Sequence, residues 1–200
     1  SDGSTDETVS QAKLVFDSRI KVIDNKNRHG KNTTQNKIFK RSTSDILIIM
    51  DADVLPENNN FLNCMVNVFI NNENTSLVAA KVLPFSDNSL VSKTLAHSQN
   101  LKLLMSDKVS KLKPVYICNG RAMAYSKTLY KGLGIPIKLL ADDAYASLIC
   151  IQKGYKIHYQ DSVGVLYQVP STIEDHLKQS TRYFKGRAQL AKFFGTSFIE

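Results

Sequence analysis

Five consecutive apolar residues, Ile46-Leu47-Ile48-Ile49-Met50, run directly into Asp51-Ala52-Asp53. The run is short, rich in β-branched side chains and flanked by polar residues, which predicts a buried strand. Side chains two apart on a strand share a face. If extended structure persists through the motif, Asp51 and Asp53 point the same way, about 6.5 Å apart from the strand rise. Hard carboxylate oxygens at the carboxyl end of a buried strand suit Mg²⁺ or Mn²⁺, and open α/β sheets bind their ligands at that end. The alternative is that Asp53 caps the following helix and Asp51 is merely solvated.

The rest of the chain alternates between the two periodicities. Ser4-Thr5-Asp6-Glu7 reads as a capping box opening a helix to about residue 17, followed by a short strand over 19–23. A helix is expected over 32–41. Pro56-Glu57 should start another that carries Phe61, Leu62, Met65, Val66, Phe69 and Ile70 at helical spacing. A strand over 77–83, a helix over 89–111, and extended segments at 115–118 and 122–125 come next, then helices over 126–132 and 142–152 and strands over 155–159 and 163–167. Ser171-Thr172-Ile173-Glu174 reads as a second capping box, opening a C-terminal helix within 171–194. Strands alternating with helices predict a layered α/β fold, and 200 residues without internal repeat or linker predict one domain over 1–200.

Bulk properties narrow the function. No apolar run approaches the length of a membrane span. The cysteines Cys64, Cys118 and Cys150 are odd in number and far apart, so they fit neither a zinc site nor a disulfide framework; reduced thiols in a cytosolic compartment are expected. The net charge of +8 suits anionic partners. No nucleic-acid-binding motif appears, so no nucleic acid is expected as a partner. Lys178, Arg182, Lys185, Arg187 and Lys192 concentrate near the C-terminus, which favours a phosphate site or a membrane surface, although a basic helix can also be a solvated face.

Four short sites then fall in order: Ser1-Asp2-Gly3-Ser4-Thr5-Asp6, Asp51-Ala52-Asp53, Ala141-Asp142-Asp143 and Gln179-Ser180-Thr181-Arg182-Tyr183. With this series the chain resembles the family 2 glycosyltransferases, inverting enzymes of GT-A fold, nearly end to end, beginning inside that family's second strand. The resemblance implies a GT-A-like three-layer sandwich with a mostly parallel central sheet, lacking the first strand and helix. It implies that Asp2 holds the nucleotide base or ribose. Gly30-Lys31 and Asn36 match the family's G-K-x-x-x-x-N segment, which puts Lys31 beside the nucleotide. Asp51 and Asp53 would hold a divalent metal, Mg²⁺ or Mn²⁺, and through it the donor diphosphate. Asn119-Gly120 would line the acceptor side, Asp143 would be the catalytic base, and Asp142 takes the place of the Glu that usually precedes it. Gln179, Arg182 and Tyr183 match the Q-x-x-R-W of membrane-associated members, with Tyr183 where those carry Trp; the chain has no Trp. A Tyr still stacks on a sugar, with less area.

The chemistry suits these residue types. A departing diphosphate needs its charge neutralised, and a divalent ion does this without proton transfer. Inversion needs one carboxylate to deprotonate the acceptor hydroxyl. Repulsion between Asp142 and Asp143, with partial burial, would raise the pKa of the base, although acids at a helix start are also favoured by the dipole alone. Gln179 and Arg182 are i,i+3 on one helix face, and a guanidinium fork matches phosphate. Ile173, Leu177, Phe184, Ala188 and Ala191 form an apolar stripe that either lies at a membrane interface or covers the core.

The expectation is therefore a hexosyltransferase that uses a nucleotide sugar, UDP-linked, and a saccharide or lipid acceptor in polysaccharide or glycolipid synthesis, on the cytoplasmic side of the cell membrane. A sugar-phosphate nucleotidyltransferase would need a Gly-rich phosphate loop near its start and gives no reason for Gln179-x-x-Arg182. A truncated, non-catalytic binding domain is the remaining alternative.

Overall fold

A computed structural model describes residues 1–110 and 118–195, with side chains through residue 105 in the first span. The helices are α1 (Thr8–Lys13), α2 (Lys31–Arg41), α3 (Phe61–Asn71), α4 (Leu90–Ser110), α5 (Lys127–Lys131), α6 (Asp142–Gln152) and α7 (Ile173–Phe194); the strands are β1 (Ile46–Met50), β2 (Val54–Pro56), β3 (Thr75–Phe85), β4 (Ala122–Ser126) and β5 (Lys156–Gln168). The strand expected at 115–118 lies mostly outside the described residues, and 19–23 forms no strand.

The strands make one sheet in the order β1-β4-β3-β5-β2. Alternation along β3 and β4 sends Leu77, Ala79, Met123 and Tyr125 to one face and Val78, Ala80, Ala122 and Ala124 to the other. The first face packs against Phe39 of α2, Leu129 and Tyr130 of α5, Ala146 and Cys150 of α6 and Leu190 of α7. The second packs against Phe61, Met65 and Val68 of α3 and Ala96 of α4. Two apolar cores separated by a sheet make the expected three-layer sandwich.

The sheet is mixed rather than mostly parallel. Among the described strands only β3 and β5 pair in parallel; β1 with β4, β3 with β4, and β2 with β5 are antiparallel. The strands β1, β3 and β5 do run the same way, but β4 inserts between β1 and β3 in the opposite sense. The strands expected at 155–159 and 163–167 are one strand with a register shift between Ala80 and Lys81 of its partner. Gln160 Oε1 closes that irregularity by accepting from Ser162 N at 3.1 Å and Ser162 Oγ at 2.9 Å. Gly164 then passes so near β3 that a Cβ would sit 2.7 Å from the Lys81 carbonyl oxygen.

Pro56-Glu57 does not open a helix. Val54 to Pro56 pair with Tyr167 to Val165, Glu57 N donates to Gly164 O at 3.0 Å and Glu57 Oε2 accepts from Gly164 N at 2.8 Å. That ladder draws the segment into the sheet and delays α3 to Phe61. The first capping box is also displaced: α1 starts at Thr8, with Asp6 Oδ1 accepting its N–H at 3.1 Å. In α7 the cap is Thr172, whose hydroxyl accepts from Asp175 N at 3.1 Å and donates to Asp175 Oδ2 at 2.8 Å, one residue beyond the expected pair.

Candidate active site

The strand β1 ends where expected, and the chain turns through Asp51, Ala52 and Asp53 before β2. The Asp51 N–H donates to the carbonyl of Arg121 at 2.9 Å, so the acidic turn is hung on the segment leading into β4. Asp51 is half-buried and Asp53 exposed. The helix cap proposed for Asp53 is not formed, since β2 follows it.

Facing this turn is the start of α2. Gly30 is its N-cap, with φ of +88°, a left-handed conformation that favours glycine. Asp2 fixes the approach: its carboxylate accepts from His29 N at 3.0 Å, Gly30 N at 2.7 Å, Asn25 Nδ2 at 3.3 Å and Thr34 Oγ1 at 3.3 Å. These donors, the His29 N–H foremost, hold its pKa below the usual carboxylate range. Lys31, the first helical residue, extends its ammonium between two carboxylates, 2.9 Å from Asp51 Oδ1 and 3.1 Å from Asp142 Oδ2. Burial works against this charge, but Asp142 and Asp51 outweigh it and raise the Lys31 pKa.

Asp142 and Asp143 open α6. The loop before them is held by two asparagines one turn apart on α2. Asn32 Nδ2 donates to the carbonyls of Pro136 at 2.9 Å and Leu139 at 2.7 Å. Asn36 exchanges two bonds with Ile135, at 2.7 and 3.0 Å. The helix that supplies Lys31 therefore also sets the position of the two acids.

Asp143 is half-buried. Its Oδ2 accepts from Gly120 N at 2.9 Å and its Oδ1 from Ala144 N at 2.8 Å. Burial raises its pKa, with the Asp142 charge acting in the same direction; the two N–H donors and Lys31 offset only part of this. Gly120 is required by packing. A Cβ there would lie 2.8 Å from Asp143 Cβ and 3.1 Å from Oδ2.

Lys31, Asp51, Asp142, Asp143 and Gly120 thus form one connected cluster, with Asn119 and Asp53 adjoining it in sequence. The two acids of the β1–β2 turn suit a hard divalent ion, Mg²⁺ or Mn²⁺, since such ions commonly take one or two carboxylates and complete their shell with substrate phosphate and water. Among the described residues no group of three or more His, Cys, Asp or Glu side chains could hold a metal, so the rest of the shell would come from the ligand.

The α7 residues are not brought into this cluster. Gln179, Arg182 and Tyr183 are exposed, and no hydrogen bond or ion pair among the described residues joins them to it. Arg182 lines an open groove with Leu140, Leu177, Lys178 and Lys185. The apolar stripe does not cover the core either: Ile173, Leu177 and Phe184 are 64%, 59% and 68% exposed. Docking uses other residues. Gly186 lies against Ala141, where a Cβ would be 2.9 Å from the alanine Cβ; Gln189 bonds Leu140 N at 2.8 Å and Lys138 O at 3.0 Å; Leu190 enters the core. Sequence reasoning missed the Asn32 clamp and the Gln189 clasp, which no local pattern marks. Among the described residues no helix is long and apolar enough to cross a membrane.

A family model described as glycosyl transferase family 2 matches residues 1–134. An O-antigen chain rhamnosyltransferase of Salmonella anatum, WbaN, is 29% identical over 167 residues, covering 78% of this chain and 51% of the relative. The fold is similar to that of a mannosyltransferase from Pyrobaculum calidifontis in complex with GDP-Man and Mn²⁺, with a TM-score of 0.64 and 19% identity over 85% of this chain and 46% of that one. It is also similar to glucosyl-3-phosphoglycerate synthase from Mycobacterium tuberculosis in complex with Mn²⁺, UDP and glucosyl-3-phosphoglycerate, with a TM-score of 0.56 and 18% identity over 95% of this chain and 65% of that one. The chain spans about half the length of the curated relative.

Proposed function

The chain belongs to glycosyl transferase family 2, and from that premise we propose that the protein transfers a hexosyl unit, with inversion, from a nucleotide sugar to a saccharide or lipid acceptor in polysaccharide or glycolipid synthesis. The observation that carries this reading is the convergence of the β1–β2 acidic turn, Lys31 and the half-buried Asp143 in one cluster. The rhamnosyltransferase relative supports the polysaccharide setting. Family membership leaves no support for a nucleotidyltransferase.

Asp51 and Asp53 would hold Mg²⁺ or Mn²⁺, which when bound would neutralise the donor diphosphate as it leaves. Lys31 holds Asp51 and Asp142 together and keeps a positive charge at that point. Asp143 takes the proton of the acceptor hydroxyl. Its raised pKa makes it a stronger base than an ordinary carboxylate, and the Gly120 and Ala144 N–H groups fix its plane while leaving a lone pair on each oxygen. Asn119 and Gly120 would border the acceptor. Asp2 shapes the loop that would meet the base or ribose of a UDP-linked donor. Gln179 and Arg182 would reach the diphosphate or a charged acceptor, and Tyr183 would stack on the acceptor sugar. The exposed Ile173, Leu177 and Phe184, beside Lys178, Arg182 and Lys185, support contact of α7 with the cytoplasmic membrane face.

Calorimetric titration with UDP and Mn²⁺ tests the donor site. Asp53→Ala should weaken binding by at least tenfold. Equal affinity in both forms would remove the metal–diphosphate assignment and favour a non-catalytic binding role.

A further inference from the structure

One guanidinium beside the cluster has no part in the chemistry above. Arg121 follows Gly120, and its carbonyl oxygen carries the Asp51 N–H, so its backbone joins the base side of the site to the acidic turn. Its side chain is half-buried and stands over an aromatic platform, with Cζ 3.7 Å from the centroid of the Tyr167 ring. Tyr167 in turn pairs with Val54, the residue after Asp53. One terminal nitrogen donates to Asn119 Oδ1 at 3.3 Å, a neutral oxygen. Nε is buried and has no partner among the described residues, and none of the ion pairs there includes Arg121. Lys31 is by contrast matched by two carboxylates.

A buried N–H without a partner is costly to keep, and a half-desolvated cation held over a ring without a carboxylate partner among the described residues is set to receive an anion. We propose that Arg121, supported by Tyr167, binds a phosphate or diphosphate carried by the acceptor and so selects anionic acceptors. The donor diphosphate is assigned to the Asp51–Asp53 turn and its ion. Arg121 belongs to the Asn119–Gly120 turn, which positions the base, and an anion arriving there travels with the molecule being deprotonated. This inference rests on the acceptor-side reading of that turn.

The probe is inorganic pyrophosphate titrated calorimetrically with EDTA present, so that the metal-dependent donor site is silent. Wild-type protein should bind it; Arg121→Met and Arg121→Gln should each weaken binding at least tenfold, while Tyr167→Phe, which keeps the platform, should not. UDP with Mn²⁺ should bind the Arg121 variants as it binds wild type. No binding of pyrophosphate by wild type, or equal binding by the variants, overturns the proposal. So does a parallel loss of UDP affinity, which would place the donor diphosphate on Arg121. Wild type that binds pyrophosphate through Arg121 but not UDP with Mn²⁺ would sink the donor-site reading and leave the anion site standing. A measurement on unaltered protein covers variants that do not fold: pyrophosphate should protect Arg121 from a guanidine-modifying dicarbonyl, read by mass spectrometry, and absence of protection overturns the proposal.

Discussion

Lys31, the first residue of α2, has two carboxylates within 3.1 Å, whereas Arg182, midway along α7, has no ion-pair partner among the described residues and lines an open groove. The contrast extends to the helices themselves. α2 is anchored at its start by the Asp2 loop and along its length by Asn32 and Asn36, which bind a loop about a hundred residues away. α7 is held mainly through Gly186, Gln189 and Leu190, and most of its first half faces solvent. One region is assembled before any ligand arrives, as electrostatic catalysis requires. The other displays Arg182 and exposed apolar side chains such as Ile173, Leu177 and Phe184 to solvent.

The largest effect should come from the assembled region. Asp143→Asn is expected to lower turnover by about a thousandfold, within the range for general-base removal, with UDP and Mn²⁺ binding nearly intact; retained turnover would remove Asp143 as base. Its pH dependence follows from the raised pKa. The ionised form is penalised in the folded state, so the penalty is absent below the unfolded carboxylate pKa and complete above the folded one. Wild type and Asp143→Asn should therefore differ least in acid, and the variant should gain relative stability as pH rises through that window. Urea titrations at several pH values would show it, and the acid limb of the wild-type rate profile should lie above the usual carboxylate range.

Gly120→Ala places a methyl against Asp143 Cβ. It should cost about 1–3 kcal/mol as an overpacked site and reduce turnover by roughly a hundredfold through displacement of the base. Wild-type kinetics in this variant would show that the contact relaxes freely and that the region is less rigid than described.

Lys31→Met leaves Asp51 and Asp142 facing one another without a counterion. Removing one partner of a buried pair costs about 3–5 kcal/mol, but the Lys31 side chain is 38% exposed, so solvent screening reduces the expected loss to about 1–2 kcal/mol. A shift of the urea midpoint measures it; an unchanged midpoint would place the two regions on the same footing.

The smallest effect on stability should come from α7. Leu177→Gln with Phe184→Gln is expected to change stability by less than about 0.5 kcal/mol, as for exposed positions generally, yet to abolish sedimentation with anionic phospholipid vesicles. A large destabilisation, or vesicle binding retained, would mean that the stripe packs on the protein itself.

What the sequence disclosed follows the same division. β1 and the start of α6 at Asp142 were legible because a short β-branched run and an acidic helix start are local signals. The direction of β4 was not, because strand sense depends on which neighbours it slips between. The single span of β5 was hidden by Asp161-Ser162, which looks like a gap in a strand but forms an irregularity stitched by Gln160. The α7 stripe was visible as a pattern, but pattern alone did not reveal that Gly186 and Leu190, on a different face, make the dock. Lys31 was marked by its motif; its double ion pair was not, since the second partner lies far along the chain. Arg121 carries no motif at all, and only the ring beneath it and the unpaired Nε single it out.

The spacing of Asn32 and Asn36 makes α2 a phase-sensitive part. Each inserted helical residue turns everything beyond it by about 100°. One extra residue between those two asparagines would leave either Lys31 and Asn32 or Asn36 in place, never both sets. Family members that differ in length should therefore carry their insertions before Gly30 or after Asn36, and a loop graft that respects those limits can change what the Asp2 loop meets without disturbing the acids.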